Sequence, residues 1–299
     1  MVSGVKILVD TLQGNSKITA NQIDIHPSVK IGDNVTINCD TIKIGKFSVI
    51  GNNITINCKS FEAGDRLYIC DGVEVGRGGC TGPNSNVKIG NNVGIFEKTI
   101  INPSESVDIG DNVGIGGEVM IWTHGAWLDV SKGFPSDFGP VKIGNNVWLP
   151  ARSIVLPNVT IGDNVVIGIN SIINRNLPEG CFAAGSPCKV IKENCYPREV
   201  SEDELEKIVM NIIDDWFELH EDKGIVDVKV EYDSYRKIIT LKKGIDETWF
   251  THFDIDTKEM IGISNEVSED LRDYLRRRGI KIYTNESFKS IKPKWLRRN

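Results

Sequence analysis

Residues 141–174 read VKIGNNVWLPARSIVLPNVTIGDNVVIGINSIIN, and the stretch repeats itself. Ile143, Leu149, Val155, Ile161, Ile167 and Ile173 stand at every sixth position. Six fits neither the helical period of about 3.6 nor the strand period of about 2. It fits short strands joined by turns. Ile143 points inward, Gly144 and Asn145 take a corner where positive φ is tolerated, and Val147 returns to the wall. Three such units close a triangle. One coil cannot bury its own apolar face, so coils stack into a solenoid with an aliphatic interior. A β-sandwich is the competing architecture, but it does not require one aliphatic residue in every six.

The period extends toward the N-terminus with interruptions. Ile25, Ile31 and Ile37 form one set, Ile44, Ile50 and Ile56 a second, and Ala63, Ile69 and Val75 a third. Ile89, Ile95 and Ile101 follow, then Ile109, Ile115 and Ile121. Together with the closing stretch, this predicts about seven coils between residues 23 and 178. Two segments break the period: GRGGCTGPNSN (76–86), Gly-rich and polar, and HGAWLDVSKGFPSDFG (124–139). The second carries Trp127, Leu128, Phe134 and Phe138, which need a covering surface. A neighbouring subunit, a ligand or the loop's own coil wall would serve.

The hexads stop near Pro178 and the composition then changes. A capping box, Ser201 with Glu204, opens a helix whose apolar face is Leu205, Ile208, Val209, Ile212 and Trp216. Three strand-like runs follow (IVDVKVEY, RKIITLKK, TWFTHFDI), then a helix starting at Ser268 and stopped by Gly279, then a last strand IKIYT. The organisation is therefore mainly β: a solenoid over 1–196 and a smaller α+β domain over 197–299.

Composition narrows the function. The formal charge of −6 gives nucleic acid no electrostatic foothold. No apolar run reaches the roughly 20 residues that span a bilayer, and MVSGVKILVD lacks the pattern of a signal peptide. The seven cysteines form no CxxC pair, which disfavours a zinc cluster or disulfide framework and suits a reducing cytoplasm. Of the four histidines, only His124 lies where a repeat strand gives way to the large excursion. A neutral imidazole there is suited to general-base work. Glu118, six residues earlier, and Glu97, one coil below, are candidates to steady the ring or to bind acceptor hydroxyls, with Trp127 beside them. No GxSxG elbow is present, so direct transfer is more economical than a covalent intermediate.

The block IGNNVWLPARSIVLPNVTIGDNVVIGINSIINRNLPEGCFAAGSPCKVIK (143–192) resembles the hexapeptide-repeat acyltransferases, and within them the maltose, galactoside and polysaccharide O-acetyltransferase group. The resemblance implies a left-handed parallel β-helix, an exception to the right-handed crossover rule. It further implies a homotrimer with acetyl-CoA lying between neighbouring coils, a site shared by two subunits, and a carbohydrate or nucleotide-sugar acceptor. The family places its catalytic histidine just before its extruded loop, which is the position of His124. Thr123 precedes it here, where the galactoside branch has Gly. By the same resemblance Trp148 flanks the CoA groove, Ala151, Ile169 and Asn174 line the pantetheine arm, and Arg175 and Lys192, with Lys189 as a third cation, meet the adenosine phosphates. No metal is implied. An N-acyltransferase acting on an amino sugar and a non-catalytic scaffold are the alternatives. A zinc carbonic anhydrase would need three imidazoles, and the repeat region offers only His26 and His124.

Overall fold

The computed structural model describes residues 7–8, 15–244 and 249–296, so the opening MVSGVKILVD lies largely outside the described residues. The chain divides into two compact units after Arg198. Among the described residues, no helix is long and apolar enough to cross a membrane.

The first unit is a left-handed parallel β-helix of three walls. Wall one has seven strands, from Gln22–Ile25 to Thr160–Ile161. Wall two has nine, from Lys30–Ile31 to Lys189–Lys192, and wall three has nine, from Ile7–Leu8 to Ile172–Ile173. From Lys17–Ala20 to Phe182–Ala184 the chain passes through the walls in that cyclic order, while Ile7–Leu8 and Lys189–Lys192 add to walls three and two antiparallel to their neighbours. In wall three, Ile37, Ile56, Val75, Ile101, Ile121, Val155 and Ile173 stack in register as one buried column. The hexad positions are thus the inward positions, and their stacking builds a continuous core.

The solenoid is longer than the hexads suggest. Lys17–Ala20 already pairs with Thr36–Asn38, burying Ile18 and Ala20, and Phe182–Ala184 still pairs with Val166–Ile167, burying Ala183. At the N-terminal end Ile18 continues the column of Ile37, and at the C-terminal end Ala183 takes the inward place beside Ile167.

The corners also differ from expectation. Gly144 and Asn145 do not take positive φ; Asn146 does, at 55°. Asn34, Asn53, Asn92, Asn112 and Asn164 behave alike, with φ of 55–58°. Asparagine tolerates this region better than other residues with a side chain. Gly144 is required for a different reason, because a Cβ there would come within 2.8 Å of the Gly162 carbonyl carbon in the next coil. The middle residue closes the corner. The Asp111, Asn145 and Asp163 side-chain oxygens each accept the backbone N–H of the coil before, at 2.6–2.8 Å.

The second unit places helices Glu202–Phe217 and Glu266–Arg277 with a four-stranded antiparallel sheet, Val228–Asp233 to Met260–Gly262. Ser201 caps the first helix as expected, but Ile208 is exposed and Ile213 takes its place in the core. The second helix is capped by Asn265 rather than Ser268, which instead returns the bond at the third position of a capping box. The IKIYT segment forms no strand. It buries Ile280 and Ile282 but makes only an isolated bridge, Glu259 to Tyr283.

Candidate active site

Both excursions leave the solenoid at one corner, where wall three passes to wall one. Residues 76–85 follow Glu74–Val75, and residues 123–140 lie between Met120–Trp122 and Val141–Ile143. The coil between them turns the same corner at Asn102 and Ser104. Three successive coils thus bring Gly78 and Gly79, then Asn102 and Ser104, then His124 to one place. His124 opens a short hairpin, His124–Ala126 against Ser136–Phe138, in which it faces Phe138.

The imidazole is held on one edge. Nδ1 lies 3.0 Å from Asn102 Oδ1 and 3.0 Å from Ser104 Oγ. The Asn102 amide nitrogen donates to the Gly78 carbonyl (3.2 Å), so its oxygen faces the ring, and that oxygen can only accept. Ser104 donates its hydroxyl proton to the same oxygen (3.2 Å). Nδ1 therefore carries the ring proton, and Nε2 keeps its lone pair with no partner among the described residues. Asn102 and Ser104 are buried, and Thr123 fixes the corner by donating to the Asn102 carbonyl at 2.8 Å while accepting the Glu105 N–H. Phe138 stacks on the ring at 5.5 Å, and Trp122 meets it edge-on at 6.0 Å. Gly79, at φ 89°, passes so close that a Cβ would sit 2.8 Å from Ser104 Oγ and 3.6 Å from Nε2. Only glycine suits both that conformation and that approach.

Glu97 and Glu118 stand at a different corner, between walls two and three, so neither orients the ring within this chain. Glu118 pairs with Arg152 Nε at 2.7 Å, and this hydrogen-bonded charge holds its carboxyl below the usual range. Trp127, at the hairpin, is 95% exposed, so it is not folded back on its own coil wall. The orienting pair is instead Asn102 and Ser104, which the sequence reading passed over. The available signal was that Asn102 ends a wall-three strand and His124 comes just after the equivalent strand of the next coil.

The residues matched to the donor site fall on two sides of the triangle. Trp148 lies on wall two, 42% exposed, in register with Val166 and Gly114. Ala151 and the 69% exposed Ile169 occupy equivalent places on successive coils at the corner of walls two and three. Lys189 and Lys192 bound the last strand of wall two. Asn174 and Arg175 follow the last strand of wall three, at the corner that His124 also occupies. Among the described residues, Arg175, Lys189 and Lys192 form no ion pair, and all three are exposed, as phosphate recognition requires.

Residues 140–175 match the family model described as bacterial transferase hexapeptide (six repeats). This segment is a hexapeptide-transferase repeat. Beyond this segment the chain is similar in part to named acetyltransferases. It is 52% identical over 54 residues to galactoside O-acetyltransferase of Escherichia coli (strain K12), a match covering 18% of this chain and 27% of that protein. It is 40% identical over 111 residues to a putative acetyltransferase of Saccharomyces cerevisiae, covering 36% of this chain and 57% of that protein. The matched stretches thus span between about a quarter and just over half of these relatives' lengths. Among solved structures, galactoside acetyltransferase in complex with coenzyme A is 32% identical, covering 44% of this chain and 64% of that one with a TM-score of 0.31.

Proposed function

We propose that this chain is a CoA-dependent acyltransferase that moves an acetyl group to a hydroxyl of a sugar or polysaccharide precursor, with His124 as general base. The observation that carries the reading is the placement of His124 Nδ1 at 3.0 Å from both Asn102 Oδ1 and Ser104 Oγ, which leaves Nε2 without a partner among the described residues. Asn102 and Ser104 hold the proton on Nδ1, which leaves Nε2 as the acceptor. An alcohol is a poor nucleophile while it keeps its proton. Nε2 takes that proton as the oxygen attacks the thioester carbonyl, and the imidazolium returns it to the departing CoA thiolate. The ester forms, the C–S bond breaks, and no acyl-enzyme is needed. Such a base contributes about 10²- to 10⁴-fold.

The donor residues support a site shared between copies. Trp148, Ala151, Ile169, Lys189 and Lys192 lie across a wall from His124, Asn174 and Arg175 in one chain. A second copy, set side by side in a trimer, would bring one chain's wall two to another chain's His124 corner. The exposed Trp127, Leu128 and Phe134 of the hairpin then meet a neighbour or the acceptor. Glu97 and Glu118 are assigned to acceptor hydroxyls on the facing side. Seven free thiols suit a cytoplasmic setting.

The test is a mass-spectrometric screen of sugars and nucleotide sugars, hydroxyl and amino acceptors side by side, with acetyl-CoA. His124→Ala is expected to lower kcat by about 10²- to 10⁴-fold with CoA affinity unchanged by calorimetry. Full turnover in that variant would remove the base, and a blank in acetyl-CoA calorimetry would remove the donor.

A further inference from the structure

Below the excursion 76–85, the same corner opens into a cleft of about 630 Å³. Its walls include Cys39 and Cys58, with Asn38, Asn57, Arg77 and Cys80. The two cysteines hold one position in consecutive coils. Asn38 and Asn57 pair in register, and each is followed by a cysteine. Their sulfurs stand 3.8 Å apart. Neighbouring parallel strands run about 4.8 Å apart, inside the Cα separation of about 4.4–6.8 Å that a disulfide spans. The pair can therefore close without moving a coil.

The two thiols are unlike. Cys39 is half-buried at the cleft, whereas Cys58 is only 7% exposed. Cys58 donates to the Ser60 carbonyl at 3.3 Å and shares a hydrogen bond with Cys39 at 3.8 Å, for which either sulfur can supply the proton. That hydrogen bond holds the Cys39 thiol below its ordinary range, and it acts with burial to push Cys58 up. The other thiols lack this arrangement. Cys70, Cys181 and Cys188 are buried, and desolvation raises them, Cys70 to about 11.

We infer that Cys39 and Cys58 form a reversible dithiol–disulfide site, with Cys39 as the attacking thiol and Cys58 as the resolving one, reacting with low-molecular-weight disulfides of the glutathione class. In the first step the Cys39 thiolate attacks one sulfur of the small disulfide. A mixed disulfide forms and one small thiol leaves, taking up the proton that Cys39 gave to solvent. In the second step Cys58 loses its proton and attacks Cys39 Sγ, and the second small thiol leaves. The protein is oxidised by two electrons and the small disulfide is reduced to two thiols. The bond staples adjacent coils beneath the loop whose Gly78 carbonyl accepts from Asn102 and whose Gly79 leaves the space beside His124 open.

The test is independent of acyl transfer. The full chain is incubated with oxidised glutathione, blocked with an alkylating agent and digested with trypsin. Alkylatable thiols are expected to fall from the seven of the sequence by two, with one cross-linked product joining residues 31–43 to 47–59. Cys39 should react about tenfold faster than the buried thiols. Cys58→Ser is expected to stop at a glutathione adduct on Cys39, and both Cys39→Ser and Cys39→Ala to give neither adduct nor cross-link there, with circular dichroism confirming the fold. A Cys39 adduct that persists in the unsubstituted protein, a cross-link between other cysteines instead, or seven thiols left free would each overturn the site.

Discussion

The two units solve the problem of a stable interior in different ways. The solenoid core is almost wholly aliphatic, and each coil repeats the solution of the one beneath it. Among its buried polar groups, short corner side chains such as Ser48, Thr99, Asn102 and Ser171 are bonded within their own corner or to an adjacent coil. The second unit buries charge instead. Asp270 accepts from Trp216 Nε1 (2.8 Å), Lys223 Nζ (2.8 Å) and the Ile291 N–H (2.7 Å), while Arg272 pairs with Glu269 nearby. Trp216 and Asp270 are 54 residues apart. A repeated core distributes its stability along the chain, so local damage stays local. A core gathered around one carboxylate depends on a single residue.

The sharpest way to break this contrast is at Asp270. Asp270→Ala leaves the buried Lys223 ammonium without its carboxylate, which is expected to cost about 3–5 kcal/mol. Hydrogen exchange should show protection lost across Glu202–Phe217 and Glu266–Arg277 together, while the solenoid walls keep theirs. Protection lost only near residue 270 would mean that the core does not hang on that group. In the solenoid, Ile121→Ala opens a cavity between Ile101 and Val155 and should cost about 2–5 kcal/mol. Its exchange should rise in strands Ile100–Asn102 and Ile154–Val155 and fade within a coil or two. A single cooperative loss of the whole solenoid would refute the local picture.

At the candidate site, Asn102→Ala frees the ring without touching Nε2. Misplacement of this kind lowers kcat by up to about 10²-fold, so turnover should fall less than in His124→Ala while CoA affinity holds. Equal loss in both variants would show Asn102 to be more than a positioning residue. The smallest effect is expected at a corner. Asp163 is held below its ordinary value of 3.8, first by the Asn145 backbone N–H and then by the Asn145 side chain. A depressed folded value means that its contribution is present above 3.8 and is lost as pH falls through the lower value. Asp163→Asn should therefore flatten the fall in melting temperature below about pH 4. An unchanged acid slope would assign the sensitivity to other groups.

How much could be read in advance follows the same division. The columns of Ile121 and its neighbours were legible because each hexad states its own inward position. The corner chemistry was legible only in part. Gly144 and Asn145 do belong there, but positive φ falls on Asn146, and the demand on Gly144 comes from the next coil rather than from its own φ. Asn102 and Ser104 were not legible as partners of His124. They lie 22 and 20 residues before it, and only the stacking of coils makes that separation a contact. In the second unit the helix cap at Ser201 was local and readable, whereas the exchange of Ile208 for Ile213 depended on which face the sheet required.

The sequence by itself determined the coil period, the inward columns and the points where the two excursions depart, because each is written within a few adjacent residues. The tertiary structure alone decided which amide fixes the imidazole proton, which two of the seven thiols touch, and which carboxylate gathers the second core. Those depend on register between segments and on distances of about 3 Å, and spacing along a chain does not carry that information.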